Sequence, residues 1–417
     1  MHLTVLNASG QETQPGTQRP ASPETETPRP SQPEQSPLPV LPSYPVELFG
    51  LLAPPVAPLA LVPALAVSEE WNSNVNFDNT NPQSDFITGV TPVLMLFVHR
   101  PRYNLLAGVS STAELYAKNS SQNNIFARSA VILGGTYTAS QNVTLRLSDT
   151  FGFDRGANPG GWQSFTTGQL ALNNRFSPGL TWLMPQATLD FSATYEINRF
   201  PGSDDSVDSD TYGFRSNLNY SFTPRFGGIL EYAFTFLRLQ GGDDSATHAP
   251  TVGFSYQLTK SLIFRVNGGP AITQIRGETF ISPAGGVNLT QQWQIGSLTL
   301  QYDRGVSTAG GFGGSTDHQT AAATFLAATW IRDLVARLNF SYDKAVSLNS
   351  GQTTQQVDVT SYAAGFGVAY LFSPYVSVFG GYDYRRQRTG PSATTQVDGD
   401  QHRVKIGVQL GYPIPFN

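Results

Sequence analysis

The stretch Arg403-Val-Lys-Ile-Gly-Val-Gln-Leu-Gly-Tyr412 constrains this chain more than any other. Val404, Ile406, Val408, Leu410 and Tyr412 share one parity, and Arg403, Lys405, Gly407, Gln409 and Gly411 share the other. Side chains alternate across a strand, so one face is apolar and the other polar or small throughout. Strands of soluble sandwiches alternate in the same way but commonly run only about 5–6 residues. Ten tilted residues is about the length that crosses a bilayer. The stretch predicts a membrane-crossing strand that closes a barrel.

Composition supports that reading. Charged residues make up 13% of the 417, against roughly 25% in soluble domains. A mean hydropathy of −0.20 is too polar for a bundle of lipid-embedded helices. Two alternating faces reconcile the two values. The net charge of −5 and the lack of a basic run argue against a nucleic-acid partner. With no cysteine, disulfides, thiolate metal sites and Cys nucleophiles are excluded.

Residues 1–42 are rich in Pro, Gln, Glu, Thr and Ser and bury too little apolar surface to offset ordering entropy. They are expected to form a disordered, Pro-rich periplasmic arm, open to a periplasmic partner. Leu3–Ser9 reads as the tail of a leader, which places the expected start further upstream. Residues 43–65 are expected to be an apolar, Pro-containing linker or plug. Leu48–Val67 is long enough for a spanning helix, but prolines at 54, 55, 58 and 63 oppose one at about 3 kcal/mol each. Residues 66–417 are assigned to the barrel.

From Ala66 onward, strand-like runs are joined alternately by short and long connections. The short ones fall at His99–Arg102, Ala139–Asn142, Phe176–Gly179, Thr223–Arg225, Thr259–Ser261, Gln294–Ser297, Arg332–Asp333 and Ser373–Pro374. Long polar ones lie between them, including Asp154–Ser164, Arg276–Thr279, Ser307–Asp317 and Gln387–Asp400. This predicts an all-β, transmembrane, antiparallel up-and-down barrel of about 18 strands. Ambiguous runs at 131–137 and 324–331 leave 16 as the alternative. Short periplasmic turns and long external loops put both termini on the periplasmic side of an outer membrane. Aromatics beside the short turns, Trp182, Trp293, Trp330, Tyr375 and Tyr412 among them, with Phe176, predict an interfacial girdle.

The inward parity predicts a pore lining of Arg146, Arg215, Arg265, Arg337, Arg403 and Lys405 with Glu114, Asp190, Glu196, Asp303 and Asp343. Such a wall either sets a transverse field that tunes ion selectivity or is simply a solvated, self-paired interior.

Val67-Ser-Glu-Glu-Trp-Asn-Ser-Asn-Val75, followed by Ser84-Asp-Phe-Ile-Thr-Gly-Val-Thr-Pro92, resembles the opening hairpin of an outer-membrane porin family of Gram-negative bacteria. Some members of that family accompany exopolysaccharide-export systems. Trp71 stands where the family has Tyr, and Ser73 where it has Asp. The resemblance covers about 25 residues and implies location and fold more than solute. Such proteins end in an aromatic residue read by barrel-insertion machinery; here Phe416 is penultimate. The expected surroundings are outer-membrane lipid and lipopolysaccharide.

Chemical motifs are sparse. The acidic runs at Asp204–Asp210 and Asp243-Asp244 lack EF-hand spacing. Gly310–Gly314 lacks the Lys-Ser/Thr of a phosphate loop. His248 and His318 lie near long loops and would anchor any loop-sited hydrolase, but no nucleophile motif accompanies them. Arg385-Arg386-Gln-Arg388 lies at a loop mouth, facing either anionic sugars or lipid phosphates. The expectation is a passive channel for small hydrophilic solutes or ions, with no cofactor, metal or chemical step. A plugged or narrow barrel presenting its loops as an adhesin or assembly platform is the alternative.

Overall fold

The structure, a computed structural model, describes residues 57–154, 170–202, 206–307, 314–328, 331, 333–348, 356–394 and 396–416. The first six strands are β1 (Leu59–Asn72), β2 (Asp85–His99), β3 (Tyr103–Tyr116), β4 (Asn124–Thr138), β5 (Val143–Asp154) and β6 (Ala171–Leu183). Next come β7 (Ala187–Arg199), β8 (Ser209–Ser221), β9 (Phe226–Leu239), β10 (Ser245–Gln257), β11 (Leu262–Ile275) and β12 (Glu278–Trp293). The rest are β13 (Gly296–Ser307), β14 (Thr316–Ala328), β15 (Leu334–Ser347), β16 (Asp358–Ser373), β17 (Val376–Thr389), β18 (Gly399–Gly411) and the short β19 (Ile414–Phe416). Each of β1 to β18 pairs antiparallel with its sequence neighbours, β1 closes the circuit onto β18 from Ala64↔Gly411 to Asn72↔Arg403, and β19 pairs with β1 alone. The chain is an 18-stranded, closed, antiparallel transmembrane barrel, with β19 continuing β18 beyond a break.

Burial is inverted relative to a soluble sheet. On β18, Val404, Ile406, Val408 and Leu410 are 43–62% exposed, whereas Gly407 and Gln409 between them, and Gln401 before them, are buried. The same inversion recurs elsewhere. Leu145 and Leu147 point out around Arg146, Tyr212 and Phe214 are exposed beside Arg215, and Leu338 and Phe340 flank Asn339. An apolar outer face on a circuit in which β1 to β18 each pair on both sides is stable only where lipid solvates it. Val404, Ile406 and Val408 do not point into a dry centre.

Three expectations are corrected. First, the barrel begins at Leu59, so residues 59–65 are wall and neither linker nor plug. Pro63 is tolerated within β1 because its carbonyl, which accepts the Tyr412 N–H at 3.1 Å, faces the seam with β18. The missing donor faces the same way and meets the break at Pro413, between β18 and β19. Second, Phe176–Gly179 is not a turn. It lies inside β6, and the short connection is Met184–Gln186, closed by Met184 N–H donating to the Ala187 carbonyl at 2.8 Å. Phe176 is therefore on the outer face along the strand rather than beside a turn. Third, Arg276-Gly277 is a two-residue turn with φ of 52° and 83°, the hairpin type that needs positive φ at both positions. The arm of residues 1–42 and residues 43–56 of the linker lie outside the described residues.

Loop 73–84 folds back over the seam between β1 and β18. Gln401 Nε2 donates to the Asn74 carbonyl at 2.7 Å, Asn74 Nδ2 donates to the Asp400 carbonyl at 3.1 Å, and His402 N–H donates to Ser73 Oγ at 2.8 Å. Asn74 is 1% exposed. Phe77, with a φ of 53°, lays its ring over Gly399, where a Cβ would come within 2.5 Å of it. The first loop thus latches the last strand.

Candidate functional site: the inner wall

The strand period sends all eleven expected lining residues to the inner parity. Where the sequence alternates cleanly, as on β5, β8, β15 and β18, an exposed apolar residue on either side fixes the direction of the charged one. Arg146 reaches across β6 to Asp190 on β7 at 3.0 Å, where Thr181 Oγ1 donates to the same carboxylate oxygen at 2.6 Å. Gly179 lies under that crossing, and a side chain there would sit 3.6 Å from the guanidinium. Arg215 meets Glu231 at 2.7 Å, and Glu196 lies 4.0 Å from Arg175. Asp303 accepts from Gln301 and stands over Gly286. Arg403 approaches Glu70 at 3.8 Å, with Lys405 opposite Glu70 in register. Arg265 and Arg337 are exposed toward the lumen.

The structure adds residues that the sequence reading left out. Arg128 on β4 holds Glu114 at 2.6 Å and Asp154 at 3.7 Å, and Glu114 also accepts the Tyr116 hydroxyl at 2.9 Å. Arg385 on β17 lies within Coulombic range of Asp383, of Asp343 on β15 and of Asp154 on β5. Strands β5 and β15 belong to opposite sides of the circuit, so Arg385 faces acids from both across the lumen. Glu114, Glu70 and Asp343 on the same wall are each 6% exposed or less. Glu70 was legible in principle: Val67 and Trp71 point outward, which turns Glu69 out and Glu70 in. Arg128 was masked by Ile132, an apolar residue on the inner parity that blurs the alternation of β4.

Ile132 belongs to an inner apolar cluster with Val62, Val93 and Met95, all 5% exposed or less. The lower inner face of β1, β2 and β4 is therefore dry, unlike the charged level above it.

The histidines are distributed around the wall. His248 meets the Tyr232 hydroxyl at 2.8 Å and His402 meets that of Tyr382 at 2.8 Å, both on the outer face. His99 is bonded to Asn104 at a short turn. His318 is turned inward, with Ser307 Oγ 2.9 Å from Nδ1 and Asp343 Oδ1 3.6 Å from Nε2. The three residue types are those of a hydrolytic triad, but Asp343 takes its short hydrogen bond from Thr320 at 2.7 Å, not from the imidazole. The group reads as a rim network of the wall. Among the described residues, no cluster of three or more His, Asp or Glu is placed to hold a metal.

Of the expected interface aromatics, Trp182, Trp293, Tyr375 and Tyr412 are 45–59% exposed on the outer face beside short turns. Trp330 lies outside the described residues, as do Asp204 and Asp205 of the acidic run and residues 310–313 of the glycine run.

No protein-family model and no curated protein matches the chain. Among solved structures, it is similar to OpdQ of Pseudomonas aeruginosa at 11% identity and a TM-score of 0.47, over 85% of this chain and 99% of that one. It is likewise similar to OccAB4 of Acinetobacter baumannii at 12% identity and a TM-score of 0.46, over 85% and 98%. A third likeness is to the siderophore receptor PirA of Pseudomonas aeruginosa, at 8% identity and a TM-score of 0.42, over 86% and 81%. At these values, none of the three carries weight for what this chain does.

Proposed function

We propose that this protein is an outer-membrane channel for the passive passage of small hydrophilic solutes or ions, with both termini periplasmic. The observation that carries the reading is the inverted alternation: apolar side chains out, and a charged, hydrogen-bonded wall of both signs within. Barrels of 16–18 strands are wide enough to hold an aqueous channel. Acids and bases along the wall, the group around Arg128 and Arg385 among them, replace part of a solute's hydration as it passes. The resemblance at residues 67–92 extends the proposal to a barrel that accompanies exopolysaccharide export.

Planar-bilayer recording of the refolded full-length chain tests the channel. Discrete conductance steps are expected, and their absence at all voltages would defeat it. A plugged barrel is the second reading, favoured by the dry inner face formed by Val62, Val93, Met95 and Ile132. Deleting residues 43–56, which leaves β1 intact, separates the two. Conductance that appears only after the deletion would assign the native protein to the plugged class.

A further inference from the structure

The outer face of the barrel differs around its long-loop rim. On β15, β16 and β17, one register row reads Lys344↔Thr360↔Arg388, and the row below it reads Tyr342↔Tyr362↔Arg386. All six share the outward parity of Phe340, Phe366 and Tyr382, which are 40–48% exposed. Three cations therefore stand on the lipid side of two strands, at the level of a tyrosine pair with ring centroids 5.3 Å apart.

Three acids lie here, one of them Asp398, which accepts the Thr389 N–H at 2.7 Å. Asp400 on β18 lies 2.8 Å from Arg388 and 3.7 Å from Arg386, and Asp358 on β16 accepts from Ser392 at 3.3 Å in the loop above. Both guanidiniums remain 37–49% exposed, with donors to spare beyond Asp400. By contrast, Arg199 is held by Asp210 at 2.6 Å, and Arg304 by both oxygens of Asp317.

Position decides what can meet such a patch. Val404 and Ile406 lie just below it on β18 and face hydrocarbon, so the cations stand at the headgroup level of the leaflet on the long-loop side. Tyrosines occupy that level in barrels generally. Neighbouring strands are about 4.8 Å apart, so Lys344 and Arg388 leave the sheet about 10 Å from each other and converge on one small anion. A planar guanidinium pairs two donors with phosphate oxygens, and an ammonium adds a point charge.

We propose that Lys344, Arg386 and Arg388 form a binding site for the phosphate group of a phosphorylated outer-leaflet glycolipid. This rests on the outer-membrane reading above. The site is independent of the lumen, since none of its side chains faces inward. Binding would draw Arg386 and Arg388 from Asp400 toward the phosphate and fix the lipid against the β15–β17 face.

The test uses the full-length protein in phosphatidylcholine nanodiscs, titrated with diphosphoryl lipid A or its dephosphorylated form and read by native mass spectrometry. Diphosphoryl lipid A should be retained at least tenfold more strongly than the dephosphorylated form. The triple variant K344Q/R386Q/R388Q should lose that preference, while the lumen variant R337Q keeps it. Inorganic phosphate at millimolar concentration should not compete, because it lacks the acyl anchor. Equal retention of both lipids by the native chain would overturn the proposal, and so would an unchanged preference in the triple variant. Bilayer conductance of the native and triple-variant barrels should match. A native barrel that conducts but shows no lipid preference sinks this inference and leaves the channel standing.

Discussion

Closure of the barrel depends on the loop latch at the seam, and Asn74→Ala tests it. The Asn74 side chain makes two bonds: Nδ2 to the Asp400 carbonyl at 3.1 Å, and Oδ1 from the Asp78 N–H at 3.0 Å. Alanine removes both in a position that is 1% exposed. Each lost bond is worth about 1 kcal/mol net, because the abandoned partners retain access to water, so the expected loss is about 2 kcal/mol. Gln401→Ala removes the 2.7 Å bond to the Asn74 carbonyl and should cost about 1 kcal/mol. Since both substitutions open one loop, the double variant should cost less than the sum of the two. Urea titration of folding into lipid vesicles, read by tryptophan fluorescence and by band shift on gels, measures all three. A loss below about 0.5 kcal/mol for Asn74→Ala would refute the latch, because it would show the seam ladder to be sufficient alone.

Further outcomes follow from the wall and the outer face. Arg128→Gln separates Glu114 from its cation and should destabilise the barrel by about 1–3 kcal/mol, toward the low end because lumen water replaces part of the lost contact; an Arg128→Met/Glu114→Met pair should recover much of it in the same titration. Arg337→Glu reverses a charge exposed in the lumen, so the reversal potential under a KCl gradient should move toward the cation equilibrium value. Asp149 on β5 faces outward and accepts from Asn174 on β6 at 2.9 Å. Replacing both with leucine should stabilise the vesicle-inserted barrel by about 1 kcal/mol, as expected for removing polar groups from a lipid face. Gly399→Ala should cost about 1–3 kcal/mol, because its methyl group would come within 2.5 Å of the Phe77 ring.

The sequence was most readable where outer and inner parities carry opposite chemistry. On β18, β15 and β8 the alternation is clean, and fold, facing and lining residues follow directly from it. It was least readable where proline or a small residue mimics a turn. Phe176-Ser-Pro-Gly179 has turn chemistry, yet the chain runs through it because the barrel needs a full-length β6 between β5 and β7. Pro63 hid the start of β1 in the same way, since only the break at Pro413 on the neighbouring strand makes its missing donor harmless. The grouping of Arg128, Asp154, Arg385 and Asp343 was not legible at all. It depends on which strands oppose each other across the lumen, and that follows from closure of the circuit rather than from any local pattern.

The chain has no cysteine, so single-cysteine variants at adjacent positions of β18 carry the central claim without a background signal. A charged, lipid-insoluble thiol reagent applied to the reconstituted channel should modify Lys405→Cys and lower its conductance, while leaving Ile406→Cys untouched. Modification of Ile406→Cys from water, with Lys405→Cys protected, would mean that the two faces had been assigned the wrong way round, and neither the membrane barrel nor the channel would survive it.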